Sequence, residues 1–375
     1  MICAVLAIGI LVLGIWYFEF RAFSVPVLYY HHVEPTDPVT PEVFEAQMSY
    51  LLSKGYHSIS LNELHTFMTR TGTVPRKSFV LTFDDGFYCN YHYVLPILKK
   101  FGLKAVVFVV SGVRDQSIKS GDSGESGKSG QRERSRGYPS RTGNNRGAAE
   151  RFATWDEITA MMQSGLVEIE DHSMFHDRVF RNDHARGFNT GVELDWPVWG
   201  DTRPGTVRYE AGSSIIFNTF TGDYKLNDNL ASFVKEHSLD LSEAGAMQEL
   251  SRAYLNYKRQ NPVKVIYESD ANYSRRCTME LHKSRELIAQ HTGVVPGFLC
   301  FPWGQYNARA VRMVKEIGYR GAVTTDKGAN VRGGDPYRIK RFKVYRSHLP
   351  WFRRYFFLHR SRILATLYGL IYGWF

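Results

Sequence analysis

Short apolar runs alternate with amphipathic stretches along most of this 375-residue chain. Strand-like runs stand at 25–30, 79–83 and 104–110 and consist mainly of branched and aromatic residues. Between them, apolar residues recur at intervals of three and four positions, which is the spacing of an amphipathic helix. Strands that alternate with helices in this way predict an α/β fold with a parallel sheet and external helices, most simply a barrel.

Polar residues mark where the predicted helices begin. Thr40 and Pro41 open a helix over 40–55, because threonine is a favoured N-cap and proline fits the first helical turn. The sequence TWDE at 154–157 is a capping box that opens another helix. Both boundaries agree with the apolar spacing that follows them.

The alternation continues further along the chain. Strands are predicted at 166–170, 297–301 and 319–325, with a helix between the last two. Because the carboxyl ends of the strands carry the active site in such folds, polar residues that directly follow a strand are the first candidates for chemistry.

Two segments interrupt this alternation. Residues 114–147 are rich in glycine and serine and predict a flexible surface loop. Residues 178–275 contain strand-like sequences at 206–212 and 214–220, which predict an inserted β-containing lobe. We therefore expect one catalytic domain over 24–345 that carries both segments.

The N-terminal segment is apolar. Residues 2–18 carry no charge, and Trp16 and Tyr17 are typical of a membrane interface. We expect a single-pass transmembrane helix that anchors the protein over residues 1–23. A cleaved signal peptide is the alternative, but no basic residue precedes the apolar run.

Composition and charge narrow the function classes. With 43% apolar and 14% aromatic residues, the chain as a whole is neither disordered nor fibrous. The net charge is +10, but nine basic residues and no acidic residue follow Pro336, so the remainder is nearly neutral. The basic, aromatic tail over 346–375 suits an anionic membrane surface, and a final helix packed on the domain is the alternative. Nucleic acid is a weaker candidate, because no recognised nucleic-acid module accompanies the charge.

The residues that could perform chemistry follow two of the predicted strands. Asp84 and Asp85 follow one strand, and His172 and His176 follow another. Two imidazoles and one carboxylate provide three ligands for a metal and leave positions open for water, as a catalytic metal site requires. The second carboxylate is then available as a general base, and the cation offsets the repulsion between the adjacent aspartates.

Three sequence motifs resemble those of the polysaccharide deacetylase family, the NodB-homology or carbohydrate esterase family 4 domain. They are TFDDG at 82–86, HSMFH at 172–176 and FPWGQYN at 301–307. The resemblance implies a distorted (β/α)7 barrel of the NodB type that removes N-acetyl groups from a sugar polymer. It also implies one divalent metal ion, with zinc expected ahead of cobalt, nickel or iron.

The resemblance assigns roles to individual residues. Asp84 resembles the general base of the family, and Asp85, His172 and His176 resemble its metal ligands. Trp303 resembles the aromatic residue of the third motif, whose backbone N–H faces the developing oxyanion.

Some positions depart from the family pattern. Many members have an arginine where Cys300 stands; Arg341 is the candidate substitute from a later strand, and a solvated surface role is its alternative. No late Leu-x-His motif matches well as the source of the general acid. However, VPVLYYHHV at 25–33 resembles the opening strand of a circularly permuted subgroup that includes poly-N-acetylglucosamine deacetylases, where an early histidine, here His31, takes that place. Asp171 stands where a small residue is common, and it either strengthens metal binding or faces solvent.

The implied substrate is an N-acetylated envelope or extracellular polysaccharide. Such a substrate places the catalytic domain on the periplasmic or extracytoplasmic side of the inner (cytoplasmic) membrane. Three other functions stay open at this point, namely an O-acetyl esterase, an inactive glycan-binding protein of the same fold, and a metal-dependent phosphoesterase.

Overall fold

The computed structural model describes residues 23–114, 151–191, 198–262 and 266–372, together with residues 9, 13 and 14. Its strands are β1 Val27–Tyr30, β2 His57–Ser58, β3 Ser78–Phe83, β4 Ala105–Val109, β5 Val167–Asp171, β6 Arg178–Phe188, β7 Val198–Trp199, β8 Val207–Ser213, β9 Phe220–Thr221, β10 Ile266–Tyr267, β11 Phe298–Cys300, β12 Gly321–Val323 and β13 Phe342–Lys343. Its α-helices are α1 Pro41–Ser53, α2 Leu61–Met68, α3 Leu95–Phe101, α4 Trp155–Gln163, α5 Tyr224–Glu236, α6 Ala244–Gln260, α7 Asp270–Thr292, α8 Ala308–Ile317, α9 Leu349–Arg360 and α10 Arg362–Tyr372.

The central sheet has the strand order β12-β11-β5-β4-β3-β1-β13, and β2 pairs with β3. Every pairing in it is parallel. A single bridge between Val323 and Ile339, just ahead of β13, connects the two ends of this order. The sheet is therefore curled, and the predicted α/β fold with a parallel sheet is confirmed.

Apolar side chains fill both faces of the curled sheet. Because successive strand residues point to opposite faces, Val27 belongs to one buried cluster and Leu28 to another. The first cluster joins five strands with α2 and includes Phe108, whereas the second lies under the outer helices and includes Phe44 and Phe356. Each such side chain contributes roughly 1.5–3 kcal/mol by leaving water, so packing fixes the sheet from both faces.

The predicted helix starts are confirmed. The Thr40 hydroxyl accepts a hydrogen bond from the Val43 N–H at 3.3 Å. At the start of α4, the Thr154 hydroxyl accepts from the Glu157 N–H, and the Glu157 carboxylate accepts from the Thr154 N–H at 2.8 Å. These bonds satisfy N–H groups that have no partner within the helix, which is why the helices begin at these residues.

The inserted segment forms a mixed lobe. Its described part contains the antiparallel pair of β6 and β8, which confirms the strand predicted at 206–212. It also contains the helices α5 and α6, which the prediction of a β-containing lobe did not include. Phe180, Tyr209 and Leu250 belong to a buried cluster of its own.

The second strand predicted in the lobe, at 214–220, is wrong. Ile215 and Ile216 lie in a turn, and a strand begins only at Phe220. Both isoleucines pack with Tyr273 of α7, whose hydroxyl donates to the Ile215 carbonyl. Burial under a helix explains these apolar residues, and a short apolar run alone does not separate that environment from a strand.

Two predictions concern residues beyond this description. The glycine- and serine-rich segment at 114–147 lies outside the described residues apart from its first residue, and so does almost all of the anchor predicted over 1–23. Among the helices that the structure describes, none is long and apolar enough to span a membrane. The anchor and the domain boundaries drawn from it stay predictions.

The described part of the C-terminal tail forms two helices. Phe352 and Phe356 of α9 belong to the outer core cluster, and the His359 ring stacks on Phe342 with 4.3 Å between centroids. In α10, Ala365 is buried, whereas Leu370 is 61% exposed. The packed-helix alternative therefore describes α9, while α10 keeps an exposed apolar surface.

Candidate active site

The two aspartates lie in a left-handed turn at the end of β3. Asp84 continues the ladder, since its N–H donates to the Tyr30 carbonyl at 3.0 Å. Asp85 then adopts φ +69° and Gly86 adopts φ +66°. A left-handed conformation costs a non-glycine residue roughly 1–2 kcal/mol. The turn gives the two buried carboxylates different neighbours, although they are adjacent in sequence.

Asp85 meets the two histidines. Its Oδ1 lies 3.5 Å from His172 Nε2 and 3.9 Å from His176 Nε2. The ligand atoms of all three residues lie within 4.8 Å of one another, and all three side chains are buried. One carboxylate and two imidazoles at this spacing fit a single divalent cation and leave positions for water. The fold therefore brings the three predicted ligands together.

The hydrogen bonds and the burial of the two histidines favour metal binding. His172 Nδ1 donates to the Cys300 carbonyl at 2.9 Å, which leaves the Nε2 lone pair for a ligand. Burial lowers the pKa of His172 and of His176, so both rings are neutral, as metal binding requires. The Ser173 hydroxyl accepts from the His176 N–H at 3.1 Å and holds the turn between them.

Asp84 faces Arg341 instead. The guanidinium donates twice to the carboxylate, at 2.7 Å to Oδ1 and 2.9 Å to Oδ2. Burial is the largest single effect and raises the pKa of Asp84. The charge and the hydrogen bonds of Arg341, with smaller effects of His172 and His31, together outweigh burial and hold that pKa below its usual value. A bidentate pair fixes both the ionisation and the direction of the carboxylate.

Neutral groups hold Arg341 in this position. Its Nε donates to the Thr324 carbonyl at 3.0 Å, its Nη1 to the Thr82 hydroxyl at 3.1 Å, and its Nη2 to Cys300 Sγ at 3.1 Å. The side chain is 1% exposed, so the solvated alternative for Arg341 is wrong. Arg341 directly precedes β13 and follows Ile339 of the interior cluster by two positions.

The third motif forms a tight turn beside the histidines. Trp303 adopts φ +63°, and its indole centroid lies 4.8 Å from that of His176. Gly304 packs so closely that an added Cβ would lie 2.1 Å from the Thr325 hydroxyl, so only glycine fits there. Sequence analysis missed Arg178 of the inserted lobe, whose guanidinium lies 4.5 Å above the indole. Nothing in the sequence around Arg178 distinguishes it from other surface arginines.

His31 directly follows β1 at the same edge of the sheet. Its Nδ1 is buried and has no hydrogen-bond partner among the described residues. Burial lowers the pKa of His31 to about 4, against a smaller opposing effect of Asp84, so its imidazole is neutral at pH 7. The neighbouring His32 stacks on Phe87 with 4.0 Å between centroids.

The side chain of Asp171 lies in the interior, between β5 and α7. Its carboxylate is 0% exposed and accepts hydrogen bonds from the Ser284 hydroxyl at 2.7 Å and the Tyr319 hydroxyl at 2.5 Å. It therefore connects β5 to α7 and to the segment ahead of β12. The prediction that it faces solvent is wrong, and the alternative that it strengthens metal binding stays a prediction.

Comparison with known proteins agrees with this site. Residues 71–191, which contain both aspartates and both histidines, match the family model described as Polysaccharide deacetylase. The chain therefore resembles polysaccharide deacetylases in this region. It is 22% identical over 294 residues to the poly-beta-1,6-N-acetyl-D-glucosamine N-deacetylase of Escherichia coli K12, covering 77% of this chain and 31% of that protein. The chain spans about a third of the length of the first two curated relatives that it matches. The matched segments cover 35% of one relative and 31% of the other.

Solved structures of deacetylases share the fold of this chain. A de-N-acetylase from Aggregatibacter actinomycetemcomitans matches with a TM-score of 0.56 at 20% identity, covering 86% of this chain and 95% of that one. The BpsB deacetylase domain from Bordetella bronchiseptica matches with a TM-score of 0.53 at 20% identity, covering 86% and 96%. The curled parallel sheet is therefore that of NodB-like deacetylases.

Proposed function

We propose that this protein is a metal-dependent hydrolase that removes N-acetyl groups from a polymer of N-acetylglucosamine. The observation that carries the proposal is the division of two adjacent buried carboxylates between different partners. Asp85 faces His172 and His176, whereas Asp84 faces Arg341. A metal ligand beside an oriented base is what hydrolysis of an amide by an activated water needs.

Asp85, His172 and His176 would hold one divalent cation, and zinc suits this set of nitrogen and oxygen donors. The chemistry that the cation supplies when bound is Lewis acidity toward the acetamide carbonyl and a lowered pKa of water. The chain keeps the two imidazoles neutral by burial, so that they are available as ligands without first losing a proton.

Asp84 accepts a proton from the attacking water in this proposal. The carboxylate is ionised at neutral pH because Arg341 holds its pKa low, and the two hydrogen bonds fix its direction. Its low basicity also favours release of that proton once the carbon–nitrogen bond breaks, so the carboxylate is regenerated in each cycle.

Trp303 and His31 complete the proposed reaction. In this proposal the backbone N–H of Trp303 donates to the developing oxyanion, and the indole, which lies beside His176, forms one wall of the site. His31 delivers a proton to the departing amine nitrogen. Because its imidazole is neutral at pH 7, His31 first takes up a proton from solvent and passes it to the amine. The proton that Asp84 accepts from the attacking water returns to solvent, so protons balance over the cycle. Acetate and a free amino sugar result.

The polymer class follows from the relatives. The similarity to the Escherichia coli poly-beta-1,6-N-acetyl-D-glucosamine N-deacetylase extends over 77% of this chain, well beyond the two metal-site motifs. We therefore propose a poly-N-acetylglucosamine of the envelope or extracellular matrix as the substrate. Such a substrate implies that the domain acts on the periplasmic or extracytoplasmic side of the inner membrane.

The test measures acetate and new primary amine from N-acetylglucosamine oligomers and from an O-acetylated glycan. We expect equal amounts of both products from the oligomers, loss of both with a chelator, and recovery with Zn²⁺. Asp84→Asn should abolish turnover, whereas the matched surface variant Asp335→Asn should retain it. Acetate without amine would favour an O-acetyl esterase, and activity that survives both the chelator and Asp84→Asn would rule out the proposal.

A further inference from the structure

A cavity of about 250 Å³ lies away from the candidate active site. It is lined by four basic and four aromatic residues, which we call the basic pocket: Tyr50, Lys54, Tyr56, Lys77, Arg353, Phe356, Phe357 and Arg360. No acidic residue belongs to this lining. Within the part of the chain that the structure describes, none of the four cations forms an ion pair.

The basic pocket stands at the amino-terminal edge of the sheet. Lys77 directly precedes β3, whereas Asp84 directly follows it. Six strand residues at about 3.3 Å each separate the two positions by roughly 20 Å. Lys54 follows the end of α1 and Arg360 is the last residue of α9, and both helices run back from the carboxyl edge. The pocket and the active site therefore open at opposite ends of the domain.

Neutral groups hold the cations of the pocket in place. Lys77 Nζ donates to the Lys54 carbonyl at 2.8 Å, and Arg360 Nη1 donates to the Tyr56 hydroxyl at 3.1 Å. The Arg353 guanidinium lies 4.6 Å above the Tyr50 ring. These contacts direct the side chains without neutralising them, so the pocket keeps four positive charges that an anion can bind. Two guanidinium groups beside two ammonium groups suit a phosphate.

The surroundings indicate that this phosphate belongs to a lipid. Phe357, an aromatic residue of the pocket lining, is 49% exposed. Basic and aromatic side chains beside exposed apolar ones are typical of a membrane interface. In addition, the Ser24 N–H donates to the Arg360 carbonyl at 3.2 Å, so the sequence that follows the apolar residues 2–18 enters the domain beside the pocket.

We propose that the basic pocket binds the headgroup phosphate of an anionic phospholipid. Bound in this way, the amino-terminal edge of the sheet rests on the membrane, and the carboxyl edge with the candidate active site faces away from it. The proposal does not depend on deacetylase activity, because it concerns residues at the other end of the domain.

The test uses the full chain in detergent and three soluble probes: dihexanoylphosphatidylglycerol, dihexanoylphosphatidylcholine and inorganic phosphate. Binding is measured by titration calorimetry. We expect the phosphatidylglycerol to bind most tightly. Lys77→Gln and Arg353→Gln should each weaken that binding about fivefold, the effect of one basic residue at an anionic lipid surface. Arg312→Gln, an exposed basic residue of α8, is the control and should bind as the parent does.

Each other outcome overturns the proposal. Equal affinity for the phosphatidylcholine would mean that the pocket does not recognise anionic lipid. Inorganic phosphate that binds as tightly as the phosphatidylglycerol would identify a free-anion site. Pocket variants that bind like the parent would place any lipid elsewhere. Lys77 and Arg353 are exposed, so melting temperatures without lipid should match the parent and exclude misfolding as the cause.

Discussion

Asp84 and Asp85 are adjacent like charges that are both almost completely buried. The left-handed conformation of Asp85 directs it to the two histidines, while Asp84 pairs with a guanidinium. A buried carboxylate is stable in its charged form only when a cation compensates it. Each of the two carboxylates therefore depends on its own partner for its charged state.

Arg341→Met should destabilise the fold and remove most of the activity. Removing one partner of a buried ion pair typically costs about 3–5 kcal/mol, and a misdirected base costs about 100-fold in rate. We expect Asp84→Asn to cost much less stability when Arg341 is already methionine, because the pair is then removed as a unit. Denaturant unfolding of both single variants and the double variant measures this coupling. Additive costs would contradict it, and Arg338→Met, on the surface, is the control.

His31→Ala should separate amide from ester hydrolysis. An amine leaves only with a proton, whereas an aryl oxide leaves without one, so loss of a general acid slows the amide reaction selectively. We expect a decrease of about 100-fold or more on N-acetylglucosamine oligomers and a much smaller decrease on an aryl acetate. His348→Ala, at an exposed histidine of the tail, is the control. Equal losses on both substrates would show that His31 does not donate the proton.

Helices show which elements the sequence determines locally. The starts of α1 and α4 were predictable, because Thr40 and the pair Thr154 and Glu157 form their caps with residues nearby in sequence. The turn at Ile215 was not predictable, because its apolar residues are buried by α7, more than fifty positions away. Local hydrogen bonds can be read from a sequence, whereas packing between distant elements cannot.

Helix α9 should make stability depend on pH. Burial lowers the pKa of His359 to about 4, while the unfolded chain has a value near 6.5. The unfolded state therefore binds the proton first as the pH falls. The stability that His359 contributes is complete above about pH 6.5 and is lost as the pH falls through about 4, about 3 kcal/mol in total.

Unfolding free energies measured across this pH range test the contribution of His359. His359→Gln retains a donor for the Tyr355 carbonyl but does not titrate, so its curve should be flatter than that of the parent. His57→Gln, at an exposed histidine, should follow the parent curve. A parent and a His359→Gln variant with the same slope would contradict the assignment.

The whole domain joins parts of the site that are far apart in sequence. The parallel sheet and the cluster of Asp85, His172 and His176 could be predicted, because each residue directly follows a recognisable strand. Burial of Arg341 could not, since it depends on β13 lying beside β1 and on the space that Cys300 leaves. The same holds for Arg178, which a separate lobe brings to Trp303.

A divalent cation should stabilise the entire domain. Its ligands come from the loops after β3 and β5, so binding occurs only in the folded state. Zn²⁺ at a hundredfold excess over its Kd should add about 2.7 kcal/mol, seen as a rise in Tm after chelator treatment. His172→Ala should lose this rise, and His184→Ala, at an exposed histidine of β6, should keep it. A rise of equal size in His172→Ala would place the metal elsewhere.

The pairing of Asp84 with Arg341 also determines when the site can form during synthesis of the chain. The two residues are 257 positions apart, and the arginine lies next to β13, the last strand of the sheet. As the chain emerges from the ribosome, both metal-site motifs are complete long before this arginine is made. Until then the carboxylate of Asp84 has no cation to compensate its burial, and the sheet cannot close around it without a cost of several kcal/mol. In the proposed mechanism, the domain therefore acquires the arginine that orients Asp84 only at the end of synthesis. A fragment that stops before Arg341 still contains residues 71–191, which match the polysaccharide deacetylase model, but it lacks the Asp84–Arg341 pair.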